Sequence, residues 1–407
     1  MRLPRCAGAL NHLRMLWCRL PESVRWGATL FVVVRMLFWL WGGLLMSLLP
    51  LPLLGPMYQP VVPAPPGIPG WALSPWNRWD VFWFTRIAVQ GYGIADGRSA
   101  FAPLFPLLIG LLGRLLGGQY LIAAFLVSDV CCLGSLILLC EIAQRDVQRG
   151  RRAVAALLLY PFVFFLFVPY SESLLLLLTL AMFLAARAGR WWLVGLCGAL
   201  AVLTKVTAIT MLVPVAWELW ERRQSDSLWN GLWLALLPLA QVGWVMVQSL
   251  VFGTRGWLDF SSPYGLLTPF LSPALQVEWS YVSLSWPWHS LVAAVLAPFR
   301  LWPHPYTITA VVDLLVMLLV LYYTVLTFRL PRWSYRLYTV TVFVVDLVLI
   351  VREIPLQNAP RWWMMAFPMF IAAAAYVPRK WERPLTYLSL LMQVLLSALY
   401  VTWVVVG

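Results

Sequence analysis

Charged side chains are scarce, making up 11% of the 407 residues, while hydrophobic ones make up 62%. An average soluble domain carries roughly 25% charge, so a water-soluble fold of this composition would lack the polar surface to cover itself. Histidine is rarer still. His12, His289 and His304 are the only three, too few and too scattered for a histidine metal cluster. The six cysteines lie in the basic N-terminal stretch (Cys6, Cys18) or inside apolar runs (Cys131, Cys132, Cys140, Cys197), with no paired spacing suited to zinc. No glycine-rich loop followed by Lys and Ser or Thr is present, which argues against direct nucleotide hydrolysis. Acidic residues are also few, 16 against 29 Lys plus Arg, for a formal charge of +13. That excess lies in clusters between apolar runs, where it reports membrane orientation rather than nucleic-acid binding.

What fills the chain instead is long apolar sequence. Trp26 to Leu49, Gln119 to Cys140, Leu228 to Phe252, Thr307 to Phe328 and Leu385 to Val406 each fall in or near the range of about 17 to 25 residues that spans a hydrocarbon core. Lipid offers the backbone no hydrogen-bond partner, so each run is expected to be helical. The fold class expected is an all-α polytopic bundle of about eleven spans. It forms a single unit over 1–407, with an N-terminal module at 26–252 and C-terminal helices at 253–407. No separable soluble domain or repeat is visible. Five arginines precede Trp26, and the apolar run that follows is longer than a signal peptide's core, so it reads as an uncleaved anchor.

With the N-terminus inside, the Pro-rich segment 50–100 becomes a long external loop. Arg145, Arg149, Arg151 and Arg152 then face inward, and Tyr170-Ser171-Glu172-Ser173 forms an outside turn. Placing Lys205 outside requires two half-length helices on either side of it, Trp191 to Thr204 and Val206 to Trp220, each too short to span upright at about 1.5 Å per residue. A second external segment, from Gly253 to about His289, is rich in Trp, Tyr, Ser and Pro and suits an interfacial cover.

Drawn this way, the external face collects Arg78, Asp80, Asp96, Glu172, Lys205 and Arg361. Charges at membrane depth are costly and seldom idle. The densest group is Trp76-Asn77-Arg78-Trp79-Asp80, followed by Phe82-Trp83-Phe84. Its aromatics would anchor a short interfacial helix and hold Asp80 at headgroup height. A carboxylate held there suits removal of a proton from a sugar hydroxyl as a phosphate leaves. Pairing with Arg78 is the plain structural alternative.

The run continues through Arg86-Ile87-Ala88, Gly91-Tyr92 and Ala100-Phe101-Ala102-Pro103-Leu104-Phe105-Pro106. Together with Arg78-Trp79-Asp80 it resembles the signature of the PIG-V-type mannosyltransferases, which act in glycosylphosphatidylinositol assembly and belong to the membrane-embedded GT-C glycosyltransferases. Tyr160-Pro161, Tyr170-Ser171-Glu172-Ser173-Leu174, Leu203-Thr204-Lys205 and Pro360-Arg361-Trp362 with Ala366-Phe367-Pro368 extend the likeness from about Trp26 to Tyr376. The resemblance implies inverting transfer of mannose from a dolichyl or other polyprenyl phosphate donor to a lipid-linked or glycan acceptor. The acid of the first external loop, here Asp80, would be the base. Two departures stand out: Asp96 lies at a slightly different distance from Gly91-Tyr92 than the family's acidic residue, and Thr204-Lys205-Val206-Thr207 replaces an Arg-containing segment.

Under that reading Arg361 and Lys205 would offset charge on the donor phosphate, with snorkelling or packing as their structural alternatives. Glu172 either binds acceptor or favours the amides of a helix start. Arg78 would steer Asp80 or the phosphate, and Trp79 would stack on a sugar ring or anchor at the interface. No resident cofactor is called for, although oxygen ligands from Asp80, Asp96 and Glu172 would suit a divalent ion. No residue reads the stereochemistry of a hydroxyl, so another hexose or a pentose stays open. So does a lipid-sugar transporter, with the broken helices at Lys205 lining a path. The compartment is a plasma membrane in a prokaryote or the endoplasmic reticulum in a eukaryote.

Overall fold

In a computed structural model of the chain, the five apolar runs correspond to the five helices that, among the described residues, are long and apolar enough to cross a membrane: Glu22–Leu48, Tyr120–Val147, Leu228–Gln248, Tyr306–Thr327 and Arg379–Val401. The structure describes residues 17–49, 60–93, 97–251, 282–304, 306–351 and 355–403. Asp96 and most of the second external segment lie outside them.

In chain order the helices are α1 (Glu22–Leu48), α2 (Gly67–Leu73), α3 (Asp80–Gln90), α4 (Leu104–Leu115), α5 (Tyr120–Val147), α6 (Gly150–Leu158), α7 (Glu172–Arg187) and α8 (Trp191–Val202). There follow α9 (Leu212–Glu221), α10 (Leu236–Val251), α11 (Pro287–Arg300), α12 (Tyr306–Thr327), α13 (Trp333–Val348), α14 (Ala359–Trp363), α15 (Pro368–Tyr376) and α16 (Arg379–Val401). One departure from an all-helical chain is a three-residue antiparallel ladder, β1 (Val282–Leu284) against β2 (Leu349–Val351), with Ser283 opposite Ile350.

At about 1.5 Å per residue, the 28 residues of α5 reach about 42 Å, more than the hydrocarbon thickness of about 30 Å. This helix is the hub: α1, α4, α6 and α7 all pack on it. The C-terminal half closes the other side, with α15 wedged between α6 and α12 and α16 laid along α1. Their shared core is aromatic and aliphatic, and Phe162, Phe164, Phe165, Tyr160 and Tyr170 are all fully buried in it.

Several apolar stretches are shorter or more broken than an unbroken span. Leu228–Ala235 is a 3-10 helix, started by the Ser227 hydroxyl, which accepts from the Trp229 amide. The α-helix begins only at Leu236, with Pro238 in its first turn, where a missing N–H costs nothing. The expected pair of half-length helices is present: α8 ends at Val202, and a 3-10 stretch, Val206–Met211, leads into α9. Lys205 occupies the extended break between them, at φ −155° and ψ 126°.

Two glycines on α1 seat the segment that leads to Asp80. A Cβ on Gly42 would come 2.5 Å from Nε1 of Trp76, and one on Gly43 would come 2.2 Å from the Trp71 ring. Only bare backbone lets the tryptophans approach α1 this closely.

Candidate active site

The loop expected to carry chemistry is a strained turn opening a helix. Ser74–Trp76 forms a 3-10 turn, and Asp80 is the first residue of α3. Between them Trp79 has φ 53° and ψ −122°, a conformation unfavourable for a bulky residue and one that persists only when its surroundings enforce it. Those surroundings come from the end of α16 and just beyond. The Trp403 ring packs 5.2 Å from Trp79 and 5.5 Å from Phe82, and the Tyr400 hydroxyl donates to the Arg78 carbonyl at 3.1 Å.

Arg78 belongs to this frame and does not pair with Asp80. Its guanidinium donates to the carbonyls of Val401 (3.2 Å), Ser74 (2.9 Å) and Asn77 (2.9 Å) and lies 5.1 Å over Trp403. A direct pairing of Arg78 with the Asp80 carboxylate is corrected: its donors are spent on backbone carbonyls and, from Nη2, on the Met46 sulfur at 3.5 Å.

Asp80 is instead met by Arg361 and linked through it to residues from two further elements. Arg361, in α14, donates from Nη1 to Asp80 Oδ2 at 3.1 Å. Its Nε lies 3.1 Å from Oε1 of Glu172, the residue that begins α7. Lys205 donates from Nζ to the same oxygen at 2.9 Å. Two carboxylates and two cations therefore form one chain, Asp80–Arg361–Glu172–Lys205, that is neutral as a whole.

Local structure explains why these groups converge. Asn358 takes a left-handed conformation, φ 72°, that turns the chain into α14, and Pro360 fits its first turn. The Tyr160 hydroxyl fixes that turn by donating to the Pro360 carbonyl at 2.6 Å. The Leu104 amide donates to the Leu203 carbonyl at 2.9 Å, which ties the start of α4 to the break holding Lys205. Glu172 gains from the exposed amides of the α7 N-terminus as well as from its cations.

Aromatic faces complete the enclosure. Arg361 lies 5.1 Å from the Phe165 centroid and 5.2 Å from that of Tyr170, and Lys205 lies 4.6 Å over Trp362. The Tyr170 hydroxyl accepts from the Asp80 amide at 3.2 Å. Glu172 is nearly sealed, its side chain 2% exposed, whereas Asp80 keeps 27% of its side chain open. Burial holds the Asp80 carboxyl above its ordinary value, Arg361 opposes the shift, and the negative charge of Glu172 adds to it. A partly buried carboxylate with a raised pKa, fixed beside cations, can accept a proton, while the cations can stabilise an anionic leaving group.

Of the residues singled out in the sequence, the structure brings Asp80, Glu172, Lys205 and Arg361 together. Arg78 and Trp79 shape the turn, and Asp96 lies outside the described residues. Among those residues no group of three or more His, Cys, Asp or Glu gathers to hold a metal. Other isolated charges were passed over. Arg35 on α1 pairs with Asp129 on α5 at 2.7 Å and donates to the Phe167 carbonyl, bracing the wall behind the site. Asp346 on α13 is buried beside Lys205. A lone acid within an apolar run was the signal that could have flagged each carboxylate.

No family model matches the chain, and no curated protein is significantly similar to it in sequence.

Proposed function

We propose that this chain is a membrane-embedded glycosyltransferase that moves a sugar, mannose by the motif likeness, from a polyprenyl or dolichyl phosphate to a lipid-linked or glycan acceptor on the non-cytoplasmic side, with inversion. The reading includes a GT-C-type bundle of about eleven spans and rests on the order and spacing of motifs together with one observation. In a chain with so few charges, four of them, from the first loop, α7, the α8–α9 break and α14, meet in one ion-paired chain.

The chemistry follows from the parts. Among the described residues Arg361 engages Asp80 Oδ2, which leaves Oδ1 as the oxygen to take the acceptor hydroxyl's proton as the hydroxyl oxygen attacks the anomeric carbon. The carbon–oxygen bond to the phosphate breaks on the opposite face of the sugar, and the departing polyprenyl phosphate takes the electron pair. Arg361 and Lys205 offset the charge that develops there. Arg361 begins bound to both acids, so an arriving phosphate competes for it and releases Asp80 for the proton transfer.

The test is transfer from a labelled polyprenyl phosphate sugar by the purified chain, run over a panel of hexose and pentose donors. Asp80→Asn is expected to abolish transfer while the protein stays folded and binds donor. Transfer retained by that variant would remove Asp80 as the base, and no transfer from any donor would remove the reading.

A further inference from the structure

A cavity at the other end of the bundle from Asp80 has no part in glycosyl transfer as drawn. Helix α16 measures the separation. Its end meets the Asp80 turn through the contact of Arg78 with the Val401 carbonyl, and its start meets α6 through the ion pair of Glu382 with Arg152. The 23 residues of α16 extend about 34 Å, roughly one hydrocarbon thickness. At the Arg152 end a cavity of about 240 Å³ opens among α6, α12, α15 and α16, with Ala156, Leu319, Ala374 and Leu385 on its walls. Arg152 and Glu382 also line it, their side chains 34% and 45% exposed, whereas Ala374 is 2% exposed. The charged pair therefore stands at the mouth and the methyl groups lie within.

Packed protein keeps few voids larger than a water molecule, so a space of this size suits a guest. An apolar cavity of about 150 Å³ already stays dry and takes up hydrocarbon, and this one is larger. Around a chain that crosses a bilayer, the hydrocarbon at hand is acyl chain. Charge at the mouth indicates which lipid carries it. Arg149, Arg151 and Arg152 stand at the start of α6 and Arg379, Lys380 and Arg383 at the start of α16. Against these six cations stand two acids, Glu22, paired to Arg151 at 2.5 Å, and Glu382, paired to Arg152. The first turn of α6 holds no acid, although a helix start favours negative charge. Arg152 spends its Nη2 on the Glu382 carboxylate and on the Val377 carbonyl at 3.2 Å, which leaves Nε and Nη1 to donate to a phosphate.

We propose that this cavity binds one anionic phospholipid from the leaflet at the arginine-rich end, with an acyl chain among α6, α12, α15 and α16 and the phosphate on Arg152. Tyr323 and Ser389, also in the lining, supply hydroxyl donors for the ester oxygens between chain and headgroup. Glu382 competes with the phosphate for Arg152, so its carboxylate weakens binding. The site uses none of the residues that meet at Asp80.

The experiment titrates the full chain in detergent with dioleoyl phosphatidylglycerol, with dioleoyl phosphatidylcholine as the neutral counterpart, and counts bound lipid by mass spectrometry of the intact complex. The wild type is expected to hold one phosphatidylglycerol about 10-fold more tightly than phosphatidylcholine, the scale of one hydrogen bond to a charged group. Arg152→Gln should abolish that preference and leave phosphatidylcholine binding unchanged. Glu382→Gln should tighten phosphatidylglycerol binding, because the competing carboxylate is gone. An ion pair with only a structural role would make the two substitutions act alike. Ala156→Leu fills part of the cavity and should weaken both lipids. Equal affinity for the two lipids in the wild type, or weaker phosphatidylglycerol binding in Glu382→Gln, would overturn the proposal. So would full binding in Ala156→Leu, which would put the headgroup on a surface patch with no chain inside. Displacement of the lipid by an equal concentration of glycerol 3-phosphate would make this a site for soluble phosphate and overturn it too. Exposed ion pairs contribute little to stability, so both charge variants should fold; if Arg152→Gln does not, Glu382→Gln decides alone. Lipid binding is read without any transfer reaction, so its failure leaves glycosyl transfer untouched.

Discussion

Arg361 donates to Asp80 across 281 positions of sequence, Nη1 to Oδ2 at 3.1 Å. The contact joins the turn before α3 to the C-terminal helices. It also sets the state of the carboxylate, because a cation at that distance favours the charged form against the burial that disfavours it.

The pH dependence of transfer follows from that balance. A general base works only when deprotonated, and Asp80 is held above the ordinary carboxylate value by burial, with Arg361 opposing. The rate is therefore expected to fall as pH drops through a value above about 4, and Arg361→Gln should move this acid limb to higher pH because the opposing cation is gone. A kcat/KM profile of both proteins checks the direction. A limb that moves down, or stays in place, contradicts the assignment of Asp80.

Glu172 holds two cations with a side chain that is almost sealed. Glu172→Gln leaves Arg361 and Lys205 facing each other with no carboxylate between them, Asp80 remaining only on the far side of Arg361, and breaking a buried pair in this way costs about 3 to 5 kcal/mol. The detergent-solubilised variant should melt well below the wild type. Adding Lys205→Met restores neutrality and should recover part of the loss, a coupling that a double-mutant cycle in thermal unfolding measures directly.

Much of this was legible in sequence because membrane solvation acts on composition. Five apolar runs of spanning length correspond to the five helices that are long enough to cross a membrane among the described residues, and the break at Lys205 followed from the charge pattern alone. Asp80, Glu172, Lys205 and Arg361 could be picked out as isolated charges, though only the fold could show that they touch. The framework contacts of Arg78 were not legible. Its partners include the Val401 carbonyl, 323 positions away, and no local pattern encodes that contact. Asp346 was overlooked because it lies within an apolar helix rather than in a loop, and the 3-10 start at Leu228 was hidden because hydropathy does not distinguish helix types.

Arg78 yields a prediction about position rather than chemistry. Its fork ties the Asp80 turn to Val401, so Arg78→Ala should lower kcat about 100-fold, the scale of a 1 Å misplacement, with donor KM little changed. Lysine has a single point charge and cannot span three carbonyls, so Arg78→Lys should rescue poorly. A variant that raises donor KM and leaves kcat intact would return Arg78 to the phosphate.

The seat of that turn is testable from the opposite helix. At Gly42 an added methyl would come 2.5 Å from Nε1 of Trp76, and Trp76 is 1% exposed, with no room to retreat. Gly42→Ala should therefore cost about 1 to 3 kcal/mol by overpacking and displace the 3-10 turn that leads to Asp80, lowering both stability and transfer. Trp76 Nε1 is buried without a partner, so shrinking the indole to a phenyl forfeits no hydrogen bond. The double variant Gly42→Ala/Trp76→Phe should recover both properties toward wild type. Recovery of stability without recovery of transfer would mean that the indole itself, and not only the turn it supports, is needed at the site.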